Sequence, residues 1–247
     1  MERYLDPVYT GEPFVLFGPA HWIALAVVGA CGLGLFWIRH SWDVRARRVF
    51  RWGLAFWLTA WELALHAWFA RVGSWSVQSM LPLHLCSISG WLSVIMLLTG
   101  NYRAYEFAFF LGLGGATQAL ITPEVGCYGF PHFRALQSFA KHGGIVVAAL
   151  YMTIVEGYRP TARSLRTVVL WMAPYTVAVF LLNLALGSNY LYLAAKPEFP
   201  TLIGFLPPWP WYVPELALIA LAVVCALYLP FWISDHRRRA RSGAFTG

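Results

Sequence analysis

The residues best suited to chemistry in this chain are a thiol and an imidazole two positions apart. They are Cys86 and His84, in the string Leu81-Pro82-Leu83-His84-Leu85-Cys86 at the entrance to an apolar stretch. An ionisable side chain kept in hydrocarbon has no water to solvate it, so it faces a bundle interior or a cavity. A thiolate is a good nucleophile, and a neighbouring imidazole can take its proton. Positions two apart on a regular helix point roughly 200° apart, so His84 and Cys86 converge only where Pro82 distorts the turn. A histidine from another helix is the better partner. His142, in Phe139-Ala140-Lys141-His142-Gly143-Gly144, opens a later apolar stretch, and the two glycines permit close helix approach. Cys86 is the candidate nucleophile and His142 the candidate base, with His84 a pocket residue.

Other polar side chains gather around the same idea. Glu62 and His66 are four apart and share a helical face, so Glu62 can orient a histidine as the third member of a triad does. Gln118, Asn183, Asn189 or a backbone N–H freed by Pro82 can stabilise an oxyanion. His21 begins the first apolar stretch and is expected in the same pocket. Lys141 and Lys196 are the only lysines and suit a lipid phosphate as point charges. Cys31 and Cys225 sit among Gly, Ala, Leu and Val, where a thiol is a small apolar side chain, and Cys127 lies in a loop. Four cysteines give no metal spacing and no disulfide framework; neither a metal nor a cofactor is expected.

These residues need a scaffold, and composition names its class. Of 247 residues 59% are apolar and 12% charged, with a mean hydropathy of +0.58, about half the charge of a soluble domain. Seven apolar stretches, near 19–38, 51–70, 80–98, 105–122, 140–158, 167–187 and 212–233, approach the ~20 residues that cross a bilayer as helix. They are too long and too uniformly apolar for barrel strands, which predicts an all-α bundle of seven transmembrane helices. The first stretch follows Glu12 and Pro13 without a basic leader and is expected to remain in the mature protein. A single domain over 1–234 is expected, followed by a basic, partly disordered tail over 235–247.

Thirteen basic residues, Arg39, Arg45, Arg47, Arg48, Arg51, Arg103, Arg159, Arg163, Arg166, Arg237, Arg238, Arg239 and Arg241, fall on one side of this arrangement. Five, Arg3, Arg71, Arg134, Lys141 and Lys196, fall on the other. The positive-inside rule then puts the N-terminus outside and the C-terminus in the cytoplasm. It also explains the net charge of +7 without nucleic acid, and the site residues fall in the outer half. A multi-pass protein of the plasma membrane follows, with membrane phospholipids as partners and no obligate protein partner evident.

Several strings carry a resemblance. They are Leu81-Pro82-Leu83-His84-Leu85-Cys86, Gly114-Gly115 with Ala119-Leu120-Ile121-Thr122-Pro123, and Gln137-Ser138-Phe139 with His142. Asn189-Tyr190-Leu191-Tyr192-Leu193 with Lys196-Pro197, and Pro208-Trp209-Pro210-Trp211-Tyr212, complete the set. From His21 to about Trp232 the chain resembles the YwaF-type family of bacterial integral membrane proteins. That family is similar to a human polytopic ether-phospholipid acyltransferase in which a cysteine of a His-x-Cys string and a downstream histidine are implicated. The resemblance implies a lipid acyltransferase or hydrolase with Cys86 and His142 in those roles. Two other readings stay open: a small-solute transporter or receptor with a polar outer cavity, and a metal-dependent membrane hydrolase using His21, His66, His84, His142 and Glu62.

Overall fold

In the computed structural model residues 4–197 and 202–243 are described, and their regular structure is entirely helical. The order is α1 (Pro19–Ile38), α2 (Val44–Arg71), α3 (Leu85–Thr99), α4 (Tyr102–Phe107), α5 (Gly114–Ile121), α6 (Phe133–Ile154), α7 (Ala162–Leu186) and α8 (Tyr212–Gly243). A π-helical turn, Ala108–Leu113, joins α4 to α5 without a break, so seven helical rods stand where the seven apolar stretches were read.

Local chemistry explains where each rod begins and ends. Asp43 accepts from the Ala46 amide at 2.7 Å and starts α2 ahead of its predicted position, so its arginine-rich first turns are helical. Asn101 caps α4 through the Ala104 amide at 3.0 Å. Thr161 and Ser164 form a reciprocal capping box that starts α7 at Ala162. Gly100 and Gly187 close α3 and α7 at φ 68° and 64°, a left-handed conformation that glycine adopts at no steric cost. At the other end α8 stays helical through 235–243, where a tail was expected, and 244–247 lie outside the described residues.

α6 is the hub, buried along most of its length. Gly143 packs on Val28 of α1 and Gly144 on Leu58 and Trp57 of α2, where a Cβ would come within 2.8 Å of a neighbouring carbon in each case. Ile145 packs on Gly90 of α3 and Gly112 of the π-helical turn. Tyr105, Met96, Leu97, Phe110, Tyr151 and Met152 fill the centre. α1, α7 and α8 flank this core, adding Leu35, Val168 and Val224 to it, and they are the three helices among the described residues long and apolar enough to cross a membrane. They display Trp37, Leu170 and Leu218 at 85, 72 and 66% exposure, a surface suited to hydrocarbon rather than water.

One end of the bundle is rich in arginine, and these side chains also close helices. Arg47 donates to the carbonyls of Trp42, Val155 and Arg39 at 3.2, 3.0 and 2.9 Å. Arg51 donates to Leu97 at 2.6 Å, and Arg159 pairs with Asp235 at 2.6 Å. C-terminal carbonyls have no helical partner, and a guanidinium fork satisfies them.

Candidate functional site

The opposite end holds the residues singled out above. Segment 80–84 was expected to be helical, but α3 starts only at Leu85. His84 is its N-cap, in extended backbone (φ −69°, ψ 146°) and without a side-chain cap bond. Pro82 has no N–H to donate, and the chain turns there with the Leu83 amide on the Leu81 carbonyl at 2.7 Å. The separation expected from a regular helix therefore does not apply. His84 turns its ring to Tyr190 and Tyr192, at centroid distances of 5.3 and 5.4 Å.

Cys86 is the second residue of α3. Its free thiol is half-buried and faces α5, where a Cβ on Gly115 would sit 3.9 Å from the sulfur. Because His84 does not cap with its side chain, the amides of Leu85 and Cys86 are left open at the positive end of the helix dipole; the Ser87 and Ile88 amides both bond the His84 carbonyl. The charges that act on the thiol come from Lys141, Glu62 and Glu124.

His142 lies on α6 between position 143, which faces α1, and positions 141 and 145, which face α3. α5 also packs on α6, and it is the helix the thiol faces. Its Nδ1 lies 2.8 Å from the Ser138 carbonyl. A carbonyl only accepts, so Nδ1 carries the hydrogen and Nε2 keeps its lone pair. This is the tautomer of a general base.

Lys141 was expected to reach a headgroup and is instead 5% exposed. It forms an ion pair with Glu62 and donates to Ser87 Oγ at 3.3 Å. The other oxygen of Glu62 lies 3.9 Å from His66 Nε2, and His66 Nδ1 accepts from the Trp75 indole at 3.0 Å. An unpaired buried charge costs several kcal/mol, which explains the pairing across α2 and α6. Beside the pair, a crevice of about 10 Å³ between Leu58, Thr59, Gly90, Trp91 and Val94 is roughly the size of one water molecule.

Four of the remaining predicted residues, His21, Asn183, Asn189 and Lys196, are engaged by the fold. His21 is fully buried, accepting from the Phe17 amide at 2.9 Å and meeting the Leu120 carbonyl at 2.8 Å, which ties α1 to α5. Asn183 bonds Ser188 and the Tyr190 amide and carbonyl, at 2.8 to 2.9 Å. Asn189 clamps the Ala194 and Ala195 backbone. Lys196 donates to the Gly204 carbonyl at 3.2 Å and to that of Leu206. Gln118 is exposed. The open backbone amides nearest the thiol in sequence are those of Leu85 and Cys86 at the start of α3. The five candidate metal ligands do not converge, and among the described residues no group of three or more His, Cys, Asp and Glu side chains is placed to hold a metal.

A tyrosine cluster beside His84 was not legible as part of the site. Glu124 accepts from the Tyr192 hydroxyl, and Tyr192 takes its carbonyl to the Tyr212 hydroxyl. Burial, then the carboxylate beside it, holds the Tyr192 phenol protonated well above its usual range. Leu191 and Tyr192 both take positive φ, 59° and 53°, a strain found at functional segments. Tyr190 donates to the Val77 carbonyl at 2.6 Å and accepts from the Leu81 amide at 2.9 Å. The repeated tyrosines of Asn189-Tyr190-Leu191-Tyr192 were the available signal, but composition reads them as interface anchors. Residues 198–201 of the aromatic-rich stretch before Tyr212 lie outside the described residues.

Comparison with known proteins gives one result. The model of a family described as the TMEM164 family matches residues 16–228, most of the chain. No curated protein and no solved structure matches.

Proposed function

The chain belongs to the TMEM164 family of membrane proteins, and from that premise we propose that it is a membrane-embedded lipid acyltransferase or hydrolase using Cys86 as nucleophile and His142 as base. The observation that carries this reading is the placement of a free thiol at the second residue of α3, under two open amides. A helix N-terminus favours a thiolate, and open amides beside it suit the oxyanion of an acyl-transfer intermediate. The lone pair on His142 Nε2, fixed by the Ser138 carbonyl, completes the pair. The resemblance to the YwaF-type family, itself similar to an ether-phospholipid acyltransferase, implies the same two residues.

The chemistry balances without a redox partner. The thiol gives its proton to His142 and the sulfur attacks the ester carbonyl of a phospholipid. The C–O bond breaks, the lysophospholipid leaves with the proton from His142, and the acyl chain stays as a thioester. A second lysophospholipid hydroxyl loses its proton to His142 and attacks the thioester, and the C–S bond breaks to restore the thiol. With water as acceptor the same steps make a hydrolase.

The setting we propose is a seven-span plasma-membrane protein with its N-terminus outside, so that α2, α3, the α4–α5 rod and α6 cross with α1, α7 and α8. The arginine count supports the orientation. The test is acyl transfer from phosphatidylcholine to a fluorescent lysophospholipid in proteoliposomes. Cys86→Ser and His142→Ala should each abolish transfer while the melting profile is retained. Full activity in either folded variant removes the proposal.

A further inference from the structure

The N-terminal end of α6 presents a buried hydrogen-bond donor that nothing among the described residues satisfies. Arg134 Nη1 donates to Gln137 Oε1 at 3.0 Å. An arginine can only donate, so the carboxamide is fixed with its NH2 group turned away. Gln137 is 2% exposed, and that Nε2 is buried with no partner. Buried polar groups are paired in the great majority of cases, so a buried NH2 that is held open asks for an acceptor.

The guanidinium beside it is equally under-used. It lies over the rings of Trp68 and Phe69, at 5.8 and 5.3 Å from their centroids. Among the described residues no carboxylate lies within 4.0 Å of it. Glu124 is within its electrostatic reach but is already engaged by Tyr192. The Arg134 amide, in the first turn of α6, bonds His132 Nδ1 at 3.1 Å, and the dipole of the 22-residue helix adds positive potential at this end. Arg134 is half-buried, and Gln137 lies deeper.

We infer that Arg134 and Gln137 form a phosphate site, in which the guanidinium and the carboxamide NH2 take oxygens of one phosphate group. Arginine suits this through its planar fork. The site takes over the headgroup role first assigned to Lys141 and Lys196, both of which are engaged elsewhere. It needs the lipid-substrate reading only for the carrier of the phosphate, a phospholipid rather than the free anion. One turn along the same helix, Lys141 reaches Ser87, the neighbour of Cys86, so a phosphate at Gln137 puts the glycerol end of a lipid toward the thiol.

The test is isothermal titration of the full chain in dodecyl maltoside with dihexanoylphosphatidylglycerol, inorganic phosphate and dihexanoylglycerol. The phosphatidylglycerol should bind, and Arg134→Met and Gln137→Glu should each weaken it at least tenfold. Gln137→Glu is isosteric and can pair with Arg134, so its melting temperature should hold while its charge repels phosphate; it decides the matter if Arg134→Met fails to fold. Inorganic phosphate binding as tightly as the lipid supports the site with the free anion as its ligand, and lipid binding alone assigns it to a headgroup. Unchanged affinity in folded Gln137→Glu, equal binding of dihexanoylglycerol, or no binding of either phosphate compound overturns the inference. Cys86→Ser should lose transfer and keep this binding, which separates failure of the site from failure of the chemistry.

Discussion

Replacing Lys141 with methionine leaves Glu62 as a buried carboxylate among α2, α3 and α6. Removing one member of a buried pair costs about 3–5 kcal/mol. Glu62 keeps His66 Nε2 at 3.9 Å, so Lys141→Met belongs at the lower end, about 3 kcal/mol. Glu62→Leu leaves an ammonium whose remaining partner is the Ser87 hydroxyl at 3.3 Å and belongs at the upper end, about 4–5 kcal/mol. The apolar double variant Lys141→Met/Glu62→Leu buries no charge and should cost about 1 kcal/mol or less, because hydrophobic replacement of a buried pair is often neutral. Reversible unfolding in mixed micelles, read as a double-mutant cycle, measures this: singles that together cost about 7–8 kcal/mol against a double variant near 1 kcal/mol imply a coupling of about 6 kcal/mol or more. Additivity within about 0.5 kcal/mol would refute the reasoning. Transfer activity separates the roles: if Lys141 also acts on Cys86 by its charge, the double variant recovers stability and not turnover.

Asn183→Ala strands the Ser188 hydroxyl and both backbone groups of Tyr190, and should cost about 2–4 kcal/mol in thermal unfolding. Gly112→Ala puts a methyl 2.9 Å from Ile145 Cγ2 and 3.3 Å from Ser89 Cβ, an overpacking of about 1–3 kcal/mol visible as a lowered melting temperature. His132 accepts from the Arg134 amide through Nδ1 and meets the Asp6 carbonyl through Nε2, and burial lowers its pKa. The unfolded chain therefore takes a proton on this residue first, and stability falls as pH drops below about 6.5 toward the lowered folded value. His132→Gln should flatten the melting temperature between pH 7 and pH 5, and an unchanged slope would contradict the assignment.

The rods were legible because the apolar runs are long; Pro19–Ile38 coincides with the first predicted stretch. The N-termini were less so. Asp43, Asn101 and Thr161 extend helices upstream of the apolar run through side-chain bonds that hydropathy does not register. His84 was placed on a helix because one residue string cannot reveal that Pro82 delays its start. For the site, the polarity of the histidine-rich end was visible, but pairing was not. Which carboxylate meets Lys141, and whether Asn183 faces a cavity or its own loop, depends on contacts between residues far apart in sequence. The orphan on Gln137 was hidden for the same reason, since it follows from Arg134 occupying the other half of the amide.

Arg47 has two duties separated in time. In the proposed topology its charge helps retain the α1–α2 connection in the cytoplasm while the chain is being inserted. Its bond to the Val155 carbonyl joins residues 108 positions apart, and at about 5–20 residues per second that partner is made roughly 5–20 s later. A lysine at this position would still guide insertion but lacks the fork that holds three carbonyls. Correct threading and a well-closed bundle are thus separable outcomes of one side chain, the first decided at the translocon and the second only after α6 has followed.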